Sequence, residues 1–190
     1  MLSFMKKVIV LNGSPRANGN TKSALEHLLS GMKKKADFDV TEINLTKESL
    51  KPCLACDACK KNGGVCATDK ATAALMEKVV ESDVIVLGTP VYWWGVSAQL
   101  KTAIDKFYSK SDIMGPMHKK IILVAVGAAQ IEDPQYDLIQ QQISFICKHS
   151  NWELISYIKA SAFKAGELAE NTTVLKEIEM QGEKAACCLD

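Results

Sequence analysis

Neither sign of charge dominates this 190-residue chain: 23 Lys and Arg stand against 22 Asp and Glu, a formal net charge of +1. That balance gives no general pull toward nucleic acid or an anionic membrane surface, so neither is expected as a partner. No apolar run approaches the roughly 20 residues that a membrane-crossing helix needs. The opening residues Met1 to Lys7 put their charges just ahead of a strand-sized apolar run ending at Asn12. That run is too short for the apolar core of a secretion signal. The expected location is cytoplasmic, where the seven cysteines stay reduced unless a metal takes them. Repeats, low-complexity tracts and linker-like stretches are missing as well, and the length fits one domain over residues 1–190.

Two familiar nucleotide signatures are absent from the place where one would be expected. Val8-Ile9-Val10-Leu11 is a β-branched run of the kind buried on both faces of a parallel sheet. Ala24, Leu25, Leu28, Leu29 and Met32 then recur at helical spacing, and Lys33, Lys34 and Lys35 follow where a helix dipole favours cations. Between them lies Gly13-Ser14-Pro15-Arg16-Ala17-Asn18-Gly19-Asn20-Thr21. A strand, a small polar loop and a helix start bring several partnerless backbone N–H groups to one point, which suits an anion. A Walker loop places four residues between its glycines and a Lys before the Ser or Thr. Here five residues separate Gly13 from Gly19, and Asn20 occupies the Lys position. The dinucleotide pattern G-x-G-x-x-G is absent too. The hydroxyls of Ser14 and Thr21, the amides of Asn18 and Asn20, and Arg16 suit a single terminal phosphate better than a magnesium-bound triphosphate. The competing reading is an ordinary strand-to-helix turn closed by an Asn or Thr cap.

The rest of the chain alternates strands with helices. Val40 to Leu45 alternates apolar and polar residues as a strand near a sheet edge does, and a helix follows the cysteine-rich segment through Leu75, Val79 and Val80. Val84-Ile85-Val86-Leu87 is a second fully apolar strand, running into Gly88-Thr89-Pro90-Val91-Tyr92-Trp93-Trp94-Gly95. Ser97 is a good cap for the next helix, whose Leu100, Ile104 and Phe107 share a face. Ile121 to Val126 is a third buried strand, closing on Gly127-Ala128-Ala129. Asp133-Pro134 reads as a cap with Pro at the first helical position, above a stripe of Ile139, Ile143 and Ile146. Trp152 to Ile158 is the expected fifth strand and Thr172 to Ala186 the final helix. This pattern implies a doubly wound α/β fold, a five-stranded parallel sheet of order 2-1-3-4-5 with helices on both faces. In that order the first and third strands are neighbours whose connections leave in opposite directions, opening a ligand crevice at their carboxyl ends. The phosphate-type loop and the Pro-Val-Tyr-Trp-Trp segment are expected to meet there.

A grip for one phosphate beside a wall of Pro90, Val91, Tyr92, Trp93 and Trp94 suits a flat aromatic mononucleotide, FMN above all. Backbone N–H groups after Pro90 would bond the ring edge, and Gly127 with its small neighbours would form a third wall. The alternative reading of either Trp is packing under the sheet rim or at a subunit interface. The two segments G-S-P-R-A-N-G-N-T and T-P-V-Y-W-W-G-V-S-A-Q-L-K-T-A-I-D-K-F-Y together resemble the NADPH-dependent FMN reductase family of flavodoxin-like proteins, over roughly Lys6 to Tyr157. The resemblance implies an FMN-dependent oxidoreductase using NAD(P)H, usually a homodimer or homotetramer. It matches Ser14, Arg16, Asn18, Asn20 and Thr21, around Gly19, to phosphate-site positions and Pro90 to Trp93 to the flavin-ring loop. No catalytic acid or base is expected, because the flavin itself exchanges the hydride. Lys101 and Asp105 read as scaffold charges and His118 as a surface residue.

Cys53, Cys56, Cys59 and Cys66 are spaced C-x2-C-x2-C-x6-C within an insertion at 51–69. Three thiols at two-residue gaps can wrap the corners of a cubane, and Gly63-Gly64 lets the fourth return. Structural zinc more often uses two separated C-x2-C pairs. The segment is similar to the compact cysteine motif of iron-sulfur flavoproteins, which implies a [4Fe-4S] cluster beside FMN; zinc and metal-free thiols are the alternatives. Cys147 is expected in the core, and Cys187 and Cys188 have no assignable role. Three functions follow: an NAD(P)H-dependent reductase of FMN, quinones or similar aromatic acceptors; an electron carrier taking single electrons from ferredoxin; and a flavin or redox sensor.

Overall fold

The computed structural model describes residues 5–189. Its regular elements are β1 (Lys6–Asn12), α1 (Asn20–Lys33), β2 (Phe38–Asn44), α2 (Lys70–Glu81), β3 (Val84–Tyr92), α3 (Ala98–Lys106), β4 (Lys120–Gly127), α4 (Pro134–Ser150), β5 (Glu153–Ser161) and α5 (Thr172–Cys187). The five long strands are all parallel and lie in the order β2-β1-β3-β4-β5. A two-residue strand, Gly95–Val96, folds back antiparallel on the end of β3.

Alternation along the strands divides the apolar side chains between two cores. Val8, Val10, Val84, Val86, Ile122 and Val124 face α1 and α5, while Ile9, Leu11, Ile85, Leu87, Ile121 and Leu123 face α2, α3 and α4. The three strands read as apolar throughout are therefore the interior ones, covered on both faces. On the first face, α1 and α5 approach until backbone meets backbone. A side-chain carbon built on Gly31 would collide with the Glu179 carbonyl, and one built on Gly182 with the Leu28 carbonyl.

The helix starts follow their local chemistry. Asp69 Oδ1 accepts from the Ala71 N–H at 3.2 Å, Ser97 Oγ from Leu100 at 3.2 Å, Asp133 Oδ1 from Gln135 at 3.0 Å, and Asn171 Oδ1 from Val174 at 3.2 Å. Among the described residues, α1 is the long helix that departs from this pattern: its cap position is Gly19 and no side chain closes it. The fifth strand runs from Glu153 to Ser161, beyond the expected Ile158. Trp152 lies outside it, buried, with its ring edge-on to Phe107 at 5.6 Å and its Nε1–H donating to the Met114 carbonyl at 3.1 Å.

Candidate functional site

The β1–α1 and β3–α3 connections are bonded to each other at the crest of the sheet. The Gly13 N–H donates to the Gly88 carbonyl at 2.8 Å, and Ser97 Oγ donates to the Gly13 carbonyl at 2.7 Å. Ser97 in turn donates its N–H to Thr89 Oγ1 at 2.9 Å. The first loop coils on itself: the Ser14 N–H donates to Asn12 Oδ1 at 2.9 Å and the Arg16 N–H to Ser14 Oγ at 3.3 Å. A Cβ on Gly19 would lie 3.0 Å from Arg16 Cβ and 3.1 Å from Ser14 Oγ, inside the hollow that the loop encloses. The turn is thus neither of the ordinary kinds closed by an Asn or Thr cap; it leaves the first N–H groups of α1 open toward a cavity.

That cavity has a volume of about 260 Å³. Ser14, Arg16, Gly19, Asn20 and Thr21 line one end, Pro90, Val91 and Tyr92 a second side, and Val126, Gly127 and Ala128 a third. Ala162 and Phe163, just past β5, complete it. Arg16 is the single arginine of the chain and, among the described residues, the single charged one of the lining. An arginine and an uncapped helix N-terminus at one end of the cavity make that end electropositive.

Asn18, Trp93 and Trp94 do not reach this cavity. Asn18 is exposed. The hairpin geometry sets the two tryptophans apart from the lining: Tyr92 pairs with Gly95, which leaves Trp93 and Trp94 as the two central residues of a tight turn, at φ 51° and 62°. Such turns normally take Asn-Gly, because bulky residues are disfavoured in the left-handed region. The turn points both rings outward, with Trp93 92% exposed and the ring centroids 5.8 Å apart.

Asn20 sits at the site in an unexpected way. Its Nδ2 donates to the Lys164 carbonyl at 2.8 Å and its Oδ1 accepts from the Leu168 N–H at 3.1 Å, so its side chain anchors the post-β5 loop. Glu167 Oε2 braces the same loop by accepting from the N–H groups of Phe163 and Lys164 at 2.8 and 2.6 Å. Tyr136, which sequence reasoning passed over, ties β4 to β5: its hydroxyl lies 3.1 Å from the Ala129 carbonyl and 3.0 Å from that of Ala160. Burial raises its pKa above the ordinary phenol value. Lys101 and Asp105 pair with each other at 2.6 Å, and Cys147 is buried, its thiol pushed up to about 11 by desolvation.

The four cysteines of the insertion converge on a second, smaller cavity of about 30 Å³, which Cys53, Cys56, Cys59 and Cys66 all line with Lys106 and Tyr108. Left-handed conformations at Ala55 and Asp57, φ 52° and 55°, wrap the chain around Cys56, and Gly63 and Gly64, φ 70° and 82°, turn it back toward Cys66. The loop is clipped to the segment after α3. Lys60 Nζ donates to Ser111 Oγ at 2.8 Å, pairs with Asp112 at 2.9 Å and lies 4.5 Å from the Tyr108 ring centroid. The Tyr108 hydroxyl donates to Asp57 Oδ1 at 2.9 Å. Burial pushes the Cys66 thiol up, but hydrogen bonds from Thr68 and the Lys106 charge outweigh it, leaving the thiol below its ordinary value. Among the described residues, no three Cys, His, Asp or Glu side chains stand close enough together to hold one metal ion. A single tetrahedral zinc would bring its sulfurs to roughly 3.8 Å from one another, given Zn–S bonds of about 2.3 Å. A cubane spreads the same four ligands over its separate corners.

A parallel sheet that carries an anion-receiving loop and an apolar-walled cavity at its reversal point defines a doubly wound mononucleotide-type protein. Residues 6–145 match the model of the NADPH-dependent FMN reductase family, and the chain belongs to that family of FMN-dependent NAD(P)H oxidoreductases. It is 34% identical over 151 residues to an iron-sulfur flavoprotein of Methanocaldococcus jannaschii, a match covering 76% of this chain and 73% of that protein. An iron-sulfur flavoprotein of Archaeoglobus fulgidus is 30% identical over 131 residues, covering 68% of this chain and 58% of the relative. In fold, the chain is similar to the NAD(P)H:quinone oxidoreductase from Methanothermobacter marburgensis, with a TM-score of 0.70 at 12% identity over 98% of this chain and 97% of the other. An azoreductase from Bacillus anthracis aligns with a TM-score of 0.67 at 21% identity, over 97% and 99% of the two chains. Among the described residues, no helix is long and apolar enough to cross a membrane.

Proposed function

We propose that the chain holds FMN in the 260 Å³ cavity and uses it to pass reducing equivalents from NAD(P)H to a small aromatic acceptor such as a quinone or azo compound. The observation that carries this reading is the uncapped start of α1 opening into a cavity whose one charged lining residue is Arg16. The cradle fits a phosphate: Gly19 leaves a hollow that a Cβ would fill, and the buried Ser14 and Thr21 bring hydroxyls to it. Pro90, Val91, Tyr92, Gly127, Ala128, Ala162 and Phe163 supply the weakly polar walls that a flat ring system needs. Asn18, Trp93 and Trp94 take no part in the lining in this reading. When bound, the flavin supplies hydride and single-electron chemistry. The chain's own residues bind the phosphate tail, orient the ring and exclude water from one face of it. No side-chain acid or base is required. The protein acts in the cytoplasm, and assembly as a homodimer or homotetramer would cover the exposed Trp93–Trp94 tip. Steady-state assays of FMN-loaded protein with NADPH and NADH against quinone and azo acceptors test this; turnover is expected with at least one pair. Its absence with every pair would end the reading.

A second reading is favoured by one observation, the convergence of all four insertion cysteines on a single small cavity. In it, Cys53, Cys56, Cys59 and Cys66 hold a [4Fe-4S] cluster that takes single electrons from a ferredoxin-type donor on behalf of the flavin. The donor set fits, with four thiols lining the cavity; the carboxylates beside them, Asp57 and Asp105, are engaged with Tyr108 and Lys101. Anaerobic preparation followed by iron and sulfide analysis is expected to give about four of each per chain, and the variant Cys56→Ser to lose them. An iron content that this variant leaves unchanged would exclude the cysteines as ligands.

A further inference from the structure

Lys106 is 3% exposed, and lysines are almost never buried so deeply without partners. Two other buried lysines meet that requirement. Lys119 donates to the carbonyls of Val80 and Ser82. Lys110 pairs with Glu77 at 2.8 Å and donates to the Gly63 carbonyl at 3.3 Å. Among the described residues, the Lys106 ammonium, with three donors to place, has only Asp69 Oδ2 at 3.8 Å and Cys66 Sγ at 3.9 Å. Asp69 is already engaged, accepting from the Lys51 N–H at 3.0 Å, the Thr72 hydroxyl at 2.6 Å and the Ala71 N–H at 3.2 Å. Lys106 lines the cavity on which the four thiols converge, and its ammonium lies 3.9 Å from one of them, Cys66 Sγ.

We infer that Lys106 is the buried countercation of the four-cysteine site and sets the reduction potential of what those cysteines hold. This rests on the second reading above, in which that occupant is a [4Fe-4S] cluster. Four thiolates around a cubane carry net negative charge, and reduction adds one electron with no bond made or broken, so the reduced form gains more from a nearby fixed cation. Charge, hydrogen bonding to sulfur and burial are the means by which a protein tunes such a centre, and Lys106 supplies all three at one edge. Asp69 opposes part of the effect, and the Lys106 ammonium is the cation that stands 3.9 Å from a ligand sulfur. It is a positioning residue rather than a catalytic one.

The test uses the full chain reconstituted anaerobically with ferrous iron and sulfide, with iron and sulfide measured first and the midpoint then read by EPR during a dithionite titration. Lys106→Met keeps the length of the side chain and removes its charge. It is expected to lower the reduced-to-oxidised ratio at a given potential about tenfold, a negative shift of about 59 mV for a one-electron couple, while Lys106→Arg stays near the wild type. An unchanged or positive midpoint in Lys106→Met carrying the same iron would overturn the inference and leave the cluster reading standing. Should Lys106→Met bind FMN but no iron while Lys106→Arg binds both, a requirement for positive charge is upheld. Should both variants lose iron, the side chain acts by packing and the inference falls. A wild-type chain that takes up no iron removes the cluster reading and this inference with it.

Discussion

Replacing Arg16 with Ala separates the grip on the phosphate from the grip on the ring. Among the described residues Arg16 is the one charged group lining the cavity, with no second cation there to substitute for it. A hydrogen bond to a charged partner contributes about 1.5–3 kcal/mol. Arg16 is exposed, so solvent screening reduces that figure. A loss of about 1–2 kcal/mol in FMN binding remains, which is a 5- to 30-fold weaker Kd. Riboflavin has the same ring and no phosphate, so its affinity is expected to stay within about twofold of the wild type. Fluorescence titration of both flavins into apo-protein reads the two losses side by side. Equal losses for FMN and riboflavin, or no loss for either, would refute the placement of the phosphate beside Arg16.

Ser97→Ala removes both the cap of α3 and the bond to the Gly13 carbonyl, and is expected to lower unfolding stability by about 2 kcal/mol in urea titrations. Gly182→Ala separates propensity from packing: helix propensity alone favours Ala by about 1 kcal/mol, whereas the collision with the Leu28 carbonyl predicts a loss of about 1–3 kcal/mol. A stabilised variant by thermal or urea unfolding would contradict the close approach of α1 and α5. Lys119 has its pKa lowered by burial to about 8, partly offset by Asp83. The unfolded chain therefore binds more protons than the native one between pH 8 and the ordinary lysine value, so this group makes stability rise with pH there, by about 1.4 kcal/mol per unit at most. Lys119→Met should flatten that rise relative to the wild type in urea unfolding measured from pH 8 to 10. Parallel curves for the two proteins would count against the assignment.

Much of this architecture is legible in local chemistry. Val8 to Leu11, Val84 to Leu87 and Ile121 to Val126 carry no polar residue to set a solvent face, so they belong inside the sheet, and Ser97 and Asp133 announce their helices. The order of the strands brings the loops after β1 and β3 together, and Ser97 fastens them. What escaped were features decided by partners distant in sequence. Asn20 reads as a ligand residue, yet its amide anchors a loop 144 residues away. Ala162 and Phe163 reach the cavity because β5 extends three residues past Ile158, and Lys159 and Ser161 interrupt the apolar run by which a buried strand is read. The outward turn of Trp93 and Trp94 follows from the pairing of Tyr92 with Gly95, a two-residue hairpin without the Asn-Gly signature that normally reveals one. In the insertion, the spacing of the cysteines is visible in the sequence, whereas the buried Lys106 that faces them arrives from α3.

The central claim is that the open end of α1 and the Pro90–Tyr92 segment together hold a flavin mononucleotide. Equilibrium titration of apo-protein with FMN, followed through its visible absorption and fluorescence, tests it most directly. Saturable uptake of one FMN per chain, lost on filling the Gly19 hollow with a bulky residue such as Gly19→Val, is the expected result; a protein that takes up no FMN, or a Gly19→Val variant that binds it as well as the wild type does, would contradict the account.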